Sequence, residues 1–166
     1  MSPLHRLGTA VAALLSATVV LVALAPAASA SVPTVASSAA SASSASMPCS
    51  AVRQTGDKKV VSDLGMSAFT VCQYIGWCRD SRGSAWMNFA SVYVWDQYHA
   101  RGFAYRSYAG VAVRGEPETR GFTTSANRQQ LSYSVPVRTT TSCTQGWGKL
   151  SRSGSESAQG LSSLVC

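Results

Sequence analysis

In four stretches between Phe69 and Arg138 the apolar residues recur at every second position, and that period commits the chain to β-strands. At 131–138, Leu131, Tyr133, Val135 and Val137 alternate with Ser132, Ser134, Pro136 and Arg138. Proline has no amide hydrogen for a ladder, so Pro136 predicts an edge strand or a bulge. At 103–114, Phe103, Tyr105, Ala109, Val111 and Val113 share one parity, and Arg106, Tyr108 and Arg114 take the other. At 87–96, Met87, Phe89, Tyr93 and Trp95 alternate with Asn88, Ala90, Val92 and Val94, a strand apolar on much of both faces. At 69–77, Phe69, Val71, Ile75 and Trp77 face one way, and Cys72 shares the opposite face with Tyr74. Aromatic and β-branched residues dominate these runs, as strands require.

Turn signals fall between them: Gly56-Asp57, the stretch 79–84, Arg101-Gly102, and 114–121. Short strands at such spacing predict an all-β fold, a small antiparallel sandwich or barrel. The alternative is α+β with one helix near 84–99, where Trp86, Phe89, Ala90, Tyr93 and Gln97 would share a face. The aromatic and β-branched content of that segment favours the strand.

The five cysteines, Cys49, Cys72, Cys78, Cys143 and Cys166, bear on compartment. They follow an N-terminal segment with Arg6, an apolar run at 10–25 and the small residues Ala28-Ser29-Ala30, the pattern of a Sec-type secretory signal cleaved after Ala30. The run is shorter than the roughly 20 apolar residues of a membrane-spanning helix, so the chain is expected to be extracellular and not membrane-spanning. Disulfides persist in that compartment. An odd count allows at most two bridges and leaves one thiol, which admits a covalent dimer. Which cysteines pair is open from sequence. A bridge at Cys166 would hold the C-terminus to the sheet or join two chains.

Residues 31–46 are rich in serine and alanine with no aromatic and no charge, so a disordered tail or propeptide is expected. The remainder, 47–166, fits a single globular β domain. A domain of that length buries roughly two-thirds of its surface, enough to fold on its own core.

Chemistry is sparse. After residue 30 the chain holds one histidine, His99, with no G-x-S-x-G turn to supply a nucleophile. Asp96 lies three residues earlier, which on a strand puts it on the opposite face. Glu116 and Glu118 sit between Arg114 and Arg120, which neutralise them most simply, and nothing selects a carboxyl pair for glycoside hydrolysis. His99 and Glu116 with neighbouring arginines have the residue types of a small basic ribonuclease, without its spacing. No zinc, EF-hand or P-loop spacing occurs, so neither a metal nor a cofactor is expected. Signatures of specific nucleic-acid binding are likewise missing.

Two positive features remain. All the aromatic residues lie between Phe69 and Trp147; Tyr74, Tyr98 and Tyr108 fall on the less apolar parity, and Trp147 sits in a loop-like Gly146-Trp147-Gly148. Exposed Tyr and Trp give rigid amphipathic contact area. The basic residues after residue 30 are mostly arginine, and Arg82, Arg101, Arg114 and Arg120 each precede glycine. The formal charge of the whole chain is +7. Arginine forks at loop ends suit carboxylate, phosphate or sulfate groups. The expectation is a non-catalytic binding domain working outside the cell on polysaccharide or an anionic envelope polymer, through Tyr74, Tyr98, Tyr108, Trp147, Arg101, Arg114 and Arg120. Its rivals are an inhibitor or toxin directed at a secreted protein through loop 114–121, and a small hydrolase.

Overall fold

The computed structural model describes residues 46–153 and 155–166; the expected signal segment and nearly all of the Ser/Ala tail lie outside them. Two hairpins begin the domain. Strand β1 (Cys49–Asp63) turns through Leu64 and Gly65, whose φ of 52° and 75° suit a two-residue hairpin turn, into β2 (Met66–Asp80). Asp80 then accepts a hydrogen bond from the Arg82 amide at 2.8 Å, closing the turn into β3 (Gly83–Val94). A one-turn helix α1 (Asp96–His99) leads to β4 (Tyr105–Val113), β5 (Arg120–Thr124), β6 (Leu131–Tyr133), β7 (Thr144–Arg152) and β8 (Ser155–Leu161).

The strands form two four-stranded antiparallel sheets, β1-β2-β3-β6 and β5-β4-β7-β8, called sheets A and B. The fold is the expected all-β, disulfide-stabilised one. The helix alternative is corrected: 83–94 is strand, and only Asp96–His99 is helical.

Phe69 and Val71 of β2, Val92 and Val94 of β3, Ala109 of β4 and Leu150 of β7 are fully buried between the sheets. Each large side chain of this kind contributes about 1.5–3 kcal/mol. Sheet A is also covered on its outer face, where Met87 and Phe89 are buried among Tyr74, Val52, Tyr133 and the Cys49–Cys78 bridge. This is why β3 reads as apolar on both faces.

Both edges of the sandwich are sewn. On one side β1 is a single strand through Gly56-Asp57, where a turn was expected. Gly56 adopts φ 67° at a bulge, and Asp57 exchanges hydrogen bonds with Ser163: its amide donates to Ser163 Oγ at 2.6 Å and its carbonyl accepts from the Ser163 amide at 3.1 Å. The second bridge, Cys143–Cys166, and a backbone pairing of Thr144 with Val165 fix the last residues, as a terminal cysteine suggested. Each bridge restricts the unfolded chain by roughly 2–4 kcal/mol.

On the other side the segment 131–138 overturns its sequence parity. Ser132 and Ser134 are buried, while Val135 is 58% exposed. The reason is that this segment is the seam where the two sheets meet. Ser134 Oγ accepts from the Ala90 amide at 2.9 Å in sheet A, Ser132 Oγ meets Ser107 Oγ of sheet B at 2.9 Å, and the Val135 amide reaches the Gly121 carbonyl. Hydroxyls win these interior positions because each satisfies a buried polar group. β6 is an edge strand of sheet A and ends before Pro136.

Candidate binding surface

The outer face of sheet B carries a continuous aromatic platform. Tyr108 of β4, Phe122 of β5 and Trp147 of β7 come from three adjacent strands, with ring centroids 5.7 Å apart for Tyr108–Phe122 and 5.9 Å for Phe122–Trp147. Phe122 is 53% exposed. The Lys149 ammonium lies 5.9 Å from the Tyr108 ring centroid, within cation–π range. Arg106 stands two residues from Tyr108 along β4 and borders the platform, whereas Arg120 pairs with the buried Val111 across an irregularity at Gly121.

Packing between the sheets explains why Trp147 points outward. Gly146 and Gly148, which suggested a loop, are interior positions of β7. A Cβ on Gly148 would stand 2.5 Å from Val71 Cγ2 and 2.7 Å from Val92 Cγ2, and one on Gly146 would stand 2.9 Å from the Cys72 carbonyl oxygen. The sheets approach here too closely for a side chain. The strand therefore places Trp147, Lys149 and Ser151 on its outer side, opposite Gly146, Gly148 and Leu150.

Shallow clefts flank the rings. One, of about 390 Å³, is lined by Arg106, Tyr108, Asn127 and Ser151 beyond Tyr108; the other, of about 270 Å³, lies between Trp147, Gln159 and Leu161. Rings, hydroxyls, amides and cations thus follow one another across the face of β4, β7 and β8.

Of the residues expected to bind, the structure brings Tyr108 and Trp147 together through Phe122. Tyr98 is a correction. It belongs to α1, where strand parity does not apply, and it is fully buried with its hydroxyl donating to Asp63 Oδ2 at 2.6 Å. Burial, and next the Asp63 carboxylate, push its pKa up to about 12. Tyr74 stacks on Phe89 at 5.3 Å on the outer face of sheet A, away from the platform. Arg101 lies over Phe103 at 5.9 Å near α1, whereas Arg114 and Arg120 flank the β4–β5 loop at the far end of β4, so the arginines do not share one rim. Arg120 grips Glu116 in a bidentate pair at 2.6 and 2.7 Å, which braces loop 114–119, and Thr119 packs on Gly110.

The two weak catalytic candidates are far apart. His99 Nδ1 lies 2.7 Å from the Tyr105 hydroxyl at the start of β4, and Glu116 follows the end of that strand. At about 3.3 Å per residue, β4 separates them by about 26 Å. Asp96 and His99 share α1, contrary to the strand placement, but the Asp96 carboxylate is engaged by Tyr93 and Gln130, which hold its pKa down. No group of three or more His, Cys, Asp or Glu capable of holding a metal ion occurs among the described residues. Cys72 carries the free thiol, half-buried on the outer face of sheet A opposite Ser91.

Phe122 and Lys149 were not singled out in the sequence, although Lys149 shares its parity with Trp147 and Phe122 lies in the second Arg-Gly-Phe. No helix among the described residues is long and apolar enough to cross a membrane. The architecture is an antiparallel β-sandwich with three aromatic rings side by side on the outer face of one sheet. No family model matches the chain, and neither the curated proteins nor the solved structures give a match.

Proposed function

We propose that this protein is an exported, non-catalytic binding module whose outer sheet B face lies along an anionic polysaccharide outside the cell. The observation that carries the reading is the contiguous Tyr108–Phe122–Trp147 platform, bordered by Arg106 and Lys149. A pyranose ring has an apolar C–H face that stacks on an aromatic ring and hydroxyl edges that hydrogen-bond to amides and hydroxyls. The platform spans three strands and has a cleft beside Tyr108 and another beside Trp147, an extent suited to a polymer. Guanidinium and ammonium groups at its border suit carboxylate or sulfate substituents.

Export is supported by the apolar run at 10–25 with its Ala28-Ser29-Ala30 motif, and by two disulfides that persist where thiols are oxidised. The test is affinity electrophoresis in gels containing polygalacturonate, alginate or neutral dextran. Retardation by the acidic polymers at low and moderate salt, exceeding that by dextran, supports the reading. Equal mobility in every gel refutes it.

A further inference from the structure

The outer face of sheet A carries a second aromatic surface, separate from the platform on sheet B. Directly paired residues share a face, so the strand register gives its composition row by row. One row holds Val60, Thr70, Tyr93 and Leu131. The middle row holds Cys72, Ser91 and Tyr133, and the third Gln54, Tyr74 and Phe89. Tyr74 stacks on Phe89 at 5.3 Å, and Tyr133 meets Phe89 edge-on at 6.1 Å. Trp95 extends the face beyond Tyr93, 6.2 Å from it, and donates from Nε1 to Thr70 Oγ1 at 3.0 Å. Val60 and Tyr93 are 39% and 37% exposed, and Tyr74, Tyr133 and Leu131 are half-buried.

No residue of these rows is charged, in a chain whose formal charge is +7. Charged groups stand at the borders instead. Past one end, Asp96 accepts from the Tyr93 hydroxyl at 2.8 Å; toward the β2–β3 turn lies the Asp80–Arg138 pair. Lys58 belongs to the bulged stretch of edge strand β1, beside the middle row. Two copies of a cationic protein repel wherever basic groups face each other. On this face they meet without bringing like charges into contact, whereas an anionic polymer finds no cation across its centre.

We infer that the outer face of sheet A is a self-association surface, covered by the same face of a second copy of this chain. A two-fold contact uses one patch on both partners, so the patch must suit itself. Uncharged rings with hydroxyl edges do, since each offers apolar area together with a group that both donates and accepts. With strands about 4.8 Å apart and residues about 3.3 Å apart, four strands over the length Thr70–Gly76 cover about 400 Å² per copy. That is about half of what a standard stable interface buries on each partner, so the pairing is reversible and responds to concentration. It leaves the outer face of sheet B free on both copies, on opposite sides of the dimer. On the polysaccharide reading, which the pairing itself does not need, such a dimer carries two platforms and joins two polymer chains.

The experiment is sedimentation equilibrium of the purified protein, from dilute solution up to its solubility limit, alongside Val60→Lys, Leu131→Lys and Phe122→Ala. Circular dichroism establishes that each variant is folded, and Val60 is exposed enough to accept a lysine. The native protein is expected to pass from monomer to dimer as concentration rises. Either lysine puts like charges opposite each other across the two-fold contact and should raise the dissociation constant about tenfold or more. Phe122→Ala, on the other sheet, should leave it unchanged. A monomeric mass at every concentration overturns the inference. So does a dimer that persists undiminished in Val60→Lys and Leu131→Lys, or one that dissociates in Phe122→Ala.

Discussion

Val71 and Gly148 face each other across the two sheets so closely that a Cβ on residue 148 would lie 2.5 Å from Val71 Cγ2. This contact, repeated at Gly146 against the Cys72 carbonyl, lets sheet B lie flat on sheet A and turns Trp147 to the outside. Binding surface and core are thus set by the same Gly-Trp-Gly triplet. Replacing Gly148 by Ala is expected to destabilise the domain by about 1–3 kcal/mol, the usual cost of overpacking. Urea unfolding checks this, and an unchanged midpoint in Gly148→Ala would count against the close contact.

The Asp80–Arg138 pair makes a separate prediction. Arg138 donates to both Asp80 oxygens at 2.8 Å and to the Gly83 carbonyl at 3.0 Å, tying the loop before β7 to the β2–β3 turn. Hydrogen bonding from Arg138 holds the Asp80 carboxyl well below the usual carboxylate range. A depressed folded-state pKa contributes stability that is present above the unfolded value of about 3.9 and lost as pH falls below it. Melting temperature should therefore drop between about pH 5 and pH 2 more steeply for the native chain than for Asp80→Asn. Parallel acid limbs for the two proteins would count against the pair.

At the alkaline end the order of tyrosine ionisation is the observable. Burial raises Tyr98 and Tyr105 to about 12 each. Since the folded values exceed the unfolded value of about 10, the stability they confer is complete below pH 10 and is lost as pH rises toward 12. Ultraviolet titration should show these two ionising last and together with loss of near-ultraviolet circular dichroism. Tyr98→Phe removes the hydrogen bond to Asp63 and should cost about 1–2 kcal/mol at neutral pH.

Sequence periodicity reached β4, whose apolar residues lie on a single inner face, and the inner residues of β2 next to it. Phe69 and Val71, and Tyr105, Ala109, Val111 and Val113, are buried on the face their parity gives them, whereas β3, apolar on both parities, left its inner face open. It failed where distant chain segments set the local chemistry. Gly56 reads as a turn until Ser163 docks beside it, and Ser132 and Ser134 read as solvent-facing until both sheets converge on their hydroxyls. Gly146 and Gly148 read as loop residues because the valines that exclude a side chain lie more than fifty positions earlier in the chain. The platform was half legible: Tyr108 and Trp147 carried a parity or composition signal, but their junction through Phe122 depends on β4 lying between β5 and β7. The buried hydrogen bonds of Gln73 and Asn88 to Thr144 were not legible, since both occupy parities that elsewhere in β2 and β3 are apolar.

The central claim rests on Phe122 and Trp147 acting as one surface. Isothermal titration of the protein with polygalacturonate, and of Phe122→Ala, Trp147→Ala and Asp96→Asn as a control far from the platform, addresses it directly. Truncating an aromatic residue at the centre of a contact surface commonly costs more than about 1 kcal/mol of binding. Each aromatic replacement is therefore predicted to weaken binding by roughly tenfold or more while Asp96→Asn binds as the native chain does. Undiminished affinity in both aromatic variants would contradict the account.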